Sequence, residues 1–170
     1  MTNRENQKAG QKASEIPREQ WVAALSKVPE QTVRKILTGL ITDWRINAKT
    51  LPQSGLGMLK MRDSALGDDY YMGEFPLATC WVSVHTNQGQ EAEGAAWIMD
   101  DSIERAEQMA LCDAILSAPL SGWEQVLELL QLGVEIQAQE SRERKSLLVK
   151  TRVNFSLLDD SEEQAGEQND

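Results

Sequence analysis

The spacing of apolar residues predicts two short helices near the N-terminus. Apolar side chains at i, i+3, i+4 and i+7 lie on one face of a helix. This spacing occurs at Trp21, Ala24, Leu25 and Val28, and again at Val33, Ile36, Leu37 and Leu40. Pro29 separates the two runs, because proline inside a helix removes a hydrogen-bond donor. Residues 1–15 lack the pattern and are predicted to be a flexible arm.

After these helices the period changes to two, which is typical of strands. Two short strands are predicted within residues 44–62, one on each side of the turn-forming Pro52. A stronger strand is predicted at Leu77–His85. Ala92–Met99 is predicted to return antiparallel to it after a turn at residues 87–89.

Two longer helices and a last strand complete the predicted order. Helices are expected at residues 103–116 and from Trp123 onward, where apolar residues again follow a helical spacing. Apolar residues then alternate from Leu147 to Leu157, which favours a strand that returns to the sheet. The predicted fold is therefore α+β: an antiparallel sheet of about five strands with helices packed mainly on one face. Residues 16–158 are predicted to form a single domain.

Small residues mark two places where close packing is predicted. Ala106, Ala110 and Ala114 share a face of the helix over residues 103–116, and Gly94 lies in the strand before it. Small side chains permit a close approach of two backbones. We therefore expect a helix or another backbone to pack closely against the sheet near Gly94, and the helix over residues 103–116 to lie close to whatever it covers.

The charge of the chain is concentrated at its end. The formal net charge is −10, and residues 159–170 hold six acidic residues and no basic residue. Such a segment has little apolar surface to bury, so an acidic disordered tail is predicted there. Because phosphate backbones bind to basic surfaces, nucleic acid is not expected as a partner.

Candidate catalytic residues are few. His85 is the only histidine, and Cys80 and Cys112 have no metal-ligand spacing. No catalytic, cofactor-binding or metal-binding residue is predicted. The first residues form no apolar signal segment, and no run is long enough to span a membrane. A cytoplasmic protein with reduced cysteines and no membrane partner is expected.

Three residues leave alternatives open. Tryptophans are enriched both in cores and at interfaces. Trp81 and Trp97 lie on neighbouring predicted strands, and an aromatic face without internal cover would be a protein-binding surface. Asp113 lies in an apolar run, where its carboxylate could bond to a neighbouring loop or to a partner chain.

Several segments together resemble the PhnG subunit of the bacterial carbon–phosphorus lyase system. They are REQWVAAL, the strand pair GEFPLATCWVSV and GAAWIM, the helix AEQMALCDAIL, and RVNF near the C-terminus. The matching residues, expected to be structural or interface residues, are Gly73, Glu74, Gly89, Gly94, Trp97, Glu107, Ala110, Asp113, Ala114, Val153 and Phe155.

The resemblance implies a hetero-oligomer with PhnH, PhnI and PhnJ that works functionally with PhnL. Such an assembly transfers the ribose triphosphate of ATP to an alkylphosphonate and releases adenine. The resemblance also implies that ATP and the iron–sulfur cluster belong to the assembly, with no cofactor in this chain, and that this chain is a structural or helper subunit. The alternative from the residues alone is a stand-alone small-molecule-binding or adaptor domain with the same α+β pattern.

Overall fold

The structure is a computed structural model and describes residues 16–150. The elements in chain order are α1 (Arg18–Leu25), α2 (Glu30–Leu40), β1 (Arg45–Arg62), β2 (Asp69–His85), β3 (Glu91–Ile98), α3 (Ile103–Ser117) and α4 (Trp123–Lys150). The predicted α+β class is confirmed. The predicted arm at residues 1–15 and the predicted acidic tail at residues 159–170 lie outside the described residues.

The three strands form one antiparallel sheet in the order β1-β2-β3. The antiparallel arrangement was predicted, but the described part of the chain holds three strands rather than about five. The main reason is Pro52, which does not end a strand. β1 lies at the sheet edge, where a missing N–H is tolerated. Register shifts between Ala48 and Thr50, and between Thr50 and Gln53, absorb the irregular residues as bulges.

The prediction of a strand from Leu147 was wrong for its first residues. Leu147–Lys150 continue α4 as a helix, because residues 138–150 contain neither proline nor glycine to stop it. Contacts between residues separate the chain into one compact unit that ends at Gln137 and a second that begins at Ala138. Residues 138–150 are therefore described by themselves. Residues 141–149 are exposed on this helical segment. The rest of the predicted strand, with Val153 and Phe155, lies outside the described residues.

One face of the sheet is buried by helices. Alternate residues of β2 are buried from Ala78 to Val84, as period-two alternation requires. α3 lies across β2 and β3, and the approach is closest at Gly94. A Cβ on Gly94 would lie 2.1 Å from Ala110 O and 2.3 Å from Ala114 N. The small residues thus permit the close helix–strand contact predicted from them, and the helices do pack mainly on one face.

Within residues 16–150, no helix combines the length and the apolar composition needed to cross a bilayer.

Candidate interaction surface

The histidine and the two thiols do not form a catalytic group. Cys80 lies on the core side of β2, whereas His85 is five residues further and therefore points to the opposite face. His85 Nδ1 lies 3.1 Å from a carboxylate oxygen of Glu91. Burial raises the pKa of Cys80 to about 11 and that of Cys112 to about 12. Both thiols are therefore protonated at neutral pH, which makes them poor nucleophiles and poor metal ligands.

The described residues also hold no group of three or more His, Cys, Asp or Glu side chains arranged to bind a metal ion. A groove of about 470 Å³ lies between α1 and the end of β3. It is lined by two acids and two bases, Glu19, Asp100, Lys27 and Arg105, beside Trp97. This mixed charge gives the groove no net preference for an anion or a cation.

Asp113 is bonded within the chain. Its side chain is 7% exposed, and Arg18 donates to both carboxylate oxygens, from Nε to Oδ1 at 2.9 Å and from Nη2 to Oδ2 at 2.7 Å. The backbone N–H of Ala95 also donates to Oδ2, at 3.0 Å. The nearby carboxylate raises the pKa of Arg18. The Asp113 carboxylate therefore joins α3 to α1 and to β3.

The other motif residues fall into separate places. Gly94, Ala110 and Ala114 meet where α3 crosses β3. Gly89 forms the β2–β3 turn with a φ of +77°, which favours glycine. Glu107 lines a groove between α2 and α3. Gly73 and Glu74 lie far along β2, so the structure does not bring the motif residues into one site.

The outer face of the sheet carries exposed tryptophans. Trp97 is 74% exposed and Trp81 is 43% exposed. Thr79 pairs with Trp97 and Trp81 pairs with Ala95, so the two indoles are diagonal neighbours on one face. No helix within residues 16–137 buries this face. This is the uncovered aromatic face on which the prediction of a protein-binding surface depends.

A long two-stranded ribbon extends beyond this face. β3 pairs with β2 only from Ala78 to His85, whereas β1 pairs with β2 as far as Asp69. We call residues Gly55–Arg62 and Asp69–Leu77 the distal ribbon. At about 3.3 Å per residue it is about 30 Å long. Its exposed large apolar residues are Leu56, Met58, Leu59, Met61, Tyr70, Tyr71 and Met72.

Two of these features had weak signals or none in the sequence. Arg18 lies 95 residues from Asp113, and nothing local marks it as the partner of that carboxylate. The distal ribbon had a signal, since two apolar runs flank the turn that ends near Asp69. The sequence nevertheless predicted two short strands in place of β1, because Pro52 and the glycines after it are typical of turns.

Taken together, these features define an α+β protein with an exposed aromatic sheet face and a long exposed ribbon within residues 16–150. The chain belongs to the PhnG family, because the family model described as "Phosphonate metabolism protein PhnG" matches residues 16–159. Its role therefore lies in phosphonate metabolism. A search of curated proteins finds no match to the chain.

Proposed function

We propose that this chain is a helper subunit of the carbon–phosphorus lyase core complex, without a catalytic centre of its own. Its partners in this proposal are PhnH, PhnI and PhnJ, with PhnL as a functional partner. Together they transfer the ribose triphosphate of ATP to an alkylphosphonate and release adenine. ATP and the iron–sulfur cluster are bound by the other subunits. Membership of the PhnG family supports this assignment.

The observation that carries the proposal is the uncovered aromatic face of the sheet. Trp97 exposes 74% of its surface to water and Trp81 exposes 43%. Removing apolar surface from water stabilises a complex by about 25 cal/mol per Å², and tryptophan is enriched among residues that dominate binding energy. A partner subunit that covers both indoles would gain the part of this energy that the cost of association does not offset.

The first experiment measures adenine release from ATP and methylphosphonate. PhnH, PhnI and PhnL are co-expressed with and without this chain, and the chain is also assayed alone. We expect transfer to require the chain, while the chain alone releases no adenine. Equal activity of the other three proteins without the chain would overturn the proposal and would favour a stand-alone binding domain.

A second experiment tests the aromatic face itself. Trp97→Ser should weaken co-elution of the chain with PhnI, because the serine leaves less apolar surface for the partner to cover. Leu132→Ser is the matched control, since Leu132 is also a large exposed apolar residue, at 41%, and lies on α4 rather than on the sheet. Equal loss with both variants, or no loss with Trp97→Ser, would argue against this face.

A further inference from the structure

The distal ribbon carries exposed apolar side chains on both of its faces. An antiparallel sheet in a soluble protein usually keeps one face polar and solvated. Here Leu56 pairs with Pro76 and Met58 pairs with Glu74 on one face. On the other face the ring of Phe75 lies over Gly57, where an added Cβ would be 2.8 Å from the ring. Both faces of the ribbon therefore leave apolar surface in contact with water.

One ribbon face lies on the same side of the sheet as the protein core, beyond its helical cover. Alternate residues of β2 are buried from Val84 to Ala78, but the next two on that side, Pro76 and Glu74, are exposed. Their partners Leu56 and Met58 are 70% and 61% exposed. Exposed apolar side chains on this side, next to the charged Glu74, therefore extend beyond the residues that the helices of residues 16–137 bury.

The end of the ribbon is aromatic on both faces. Tyr71 pairs with Lys60 and Tyr70 pairs with Met61, and successive residues of a strand point to opposite sides. Both tyrosines are exposed. Gly73, with a φ of +131°, lies next to a register shift, so a bulge separates these tyrosines from Glu74. Because a two-stranded ribbon by itself is only marginally stable in water, this end gains most from external cover.

We propose that the distal ribbon inserts into an apolar cleft of a different protein whose rim carries lysine or arginine side chains. This inference deepens the proposed function and rests on it. The cleft covers both faces of the ribbon at once. Methionines at positions 58, 61 and 72 suit such a contact, since their flexible side chains adapt to an irregular partner surface.

Charge decides between a different protein and a second copy of this chain. Within the described residues, Lys60 is paired with Asp69 and Arg62 donates to the backbone oxygen of Gly67. In the same region no ion pair joins Glu74, which lies beside the apolar Met58. A second copy would bring a second unpaired Glu74 to the contact, whereas a basic rim would neutralise Glu74.

The test compares variants of the full chain co-expressed with PhnH, PhnI and PhnJ. We expect the double variant Leu56→Ser, Met58→Ser to bind the complex about tenfold more weakly or worse, as loss of central apolar contacts does. Glu74→Lys should bind more weakly than Glu74→Gln, because it reverses the charge. Thermal unfolding of the isolated variants should match the unaltered chain, since these side chains are exposed. Leu132→Ser is the matched exposed control.

Hydrogen exchange provides a second readout that does not depend on the variants. Ribbon amides should exchange fast in the isolated chain and slowly in the complex. A complex that forms normally with the double variant overturns this inference and leaves the proposed function standing. Absence of any complex with the unaltered chain overturns both. Two further results would overturn the inference. One is a dimer of the isolated chain that dissociates in the double variant. The other is protection of the ribbon amides that is lost when residues 151–170 are removed.

Discussion

Arg18 holds the buried carboxylate of Asp113 with two hydrogen bonds, of 2.9 Å and 2.7 Å, across 95 residues of chain. The backbone N–H of Ala95 adds a third bond to the same carboxylate. Three elements of the fold therefore meet at one side chain. Because one of the three lies at the start of the described chain, this contact fixes α1 against α3 and the sheet.

Asp113→Ala should destabilise the protein by about 2 kcal/mol in urea unfolding. The substitution removes two charge-assisted bonds and the acceptor of the Ala95 N–H. The exposure of Arg18, at 58% of its side chain, keeps the loss below that of a fully buried ion pair. Arg18→Lys should give a smaller loss, since lysine cannot form the two-bond fork. Asp68→Ala, at an exposed turn, is the control, and an equal loss there would contradict the assignment.

Gly94→Ala should destabilise the protein by about 3 kcal/mol. The new Cβ would lie within 2.3 Å of two backbone atoms of α3, Ala110 O and Ala114 N. Backbone atoms cannot move aside as a side-chain tip can, so the helix must shift away from the sheet. Thermal unfolding would show the loss as a lower Tm. Gly55→Ala is the matched control, because nothing lies within 4 Å of its Cβ position; a similar Tm for both variants would contradict the close packing.

Arg105→Met should destabilise the protein by about 2 to 3 kcal/mol. The buried guanidinium donates through Nη2 to the backbone oxygens of Ser26 and Val28, both at 2.8 Å, and so satisfies carbonyls that follow α1. Methionine keeps the apolar stem but leaves these carbonyls unpaired. Arg34→Met is the control, because Arg34 is exposed and pairs only with Glu30 one turn away. Comparable urea midpoints for the two variants would show that Arg105 has no such role.

Local periodicity was enough to predict the helices and β3, but not the length of β1 and β2. Pro52 is typical of a turn, yet a strand tolerates it here because β1 is an edge strand. Whether a strand lies at an edge depends on the whole sheet and not on the local sequence. Leu147 begins an alternating run, yet it continues α4 because nothing before it stops the helix. In each case a short-range pattern was compatible with two structures, and a non-local or preceding element decided between them.

The candidate surface was predictable to a similar extent. Gly94 and Ala110 indicated a close backbone approach through their size alone, and the structure has that contact. Trp97 and Trp81 could be placed on neighbouring strands, but which face of the sheet the helices bury depends on the packing of α3. The partner of Asp113 could not be found, because no feature of Arg18 in the sequence distinguishes it from the other arginines.

The stability of the protein should fall as the pH rises above 9, in part because of Cys112. Burial raises the pKa of this thiol from 9.0 to about 12, so the folded state keeps its proton after the unfolded state has lost it. The contribution of the neutral thiol is therefore fully present below pH 9 and is lost as the pH rises towards 12. The slope of the loss approaches about 1.4 kcal/mol per pH unit for one thiol well above pH 9. Urea unfolding at pH 8, 9 and 10 measures it.

Cys112→Ala separates this thiol from the other groups that titrate in the same range. The variant lacks the ionisable group, so its unfolding free energy should fall less steeply between pH 9 and 10 than that of the unaltered chain. The difference between the two slopes isolates Cys112, because every other titrating group is common to both proteins. Parallel slopes would mean that the thiol ionises equally in the folded and unfolded states, and that its surroundings admit water.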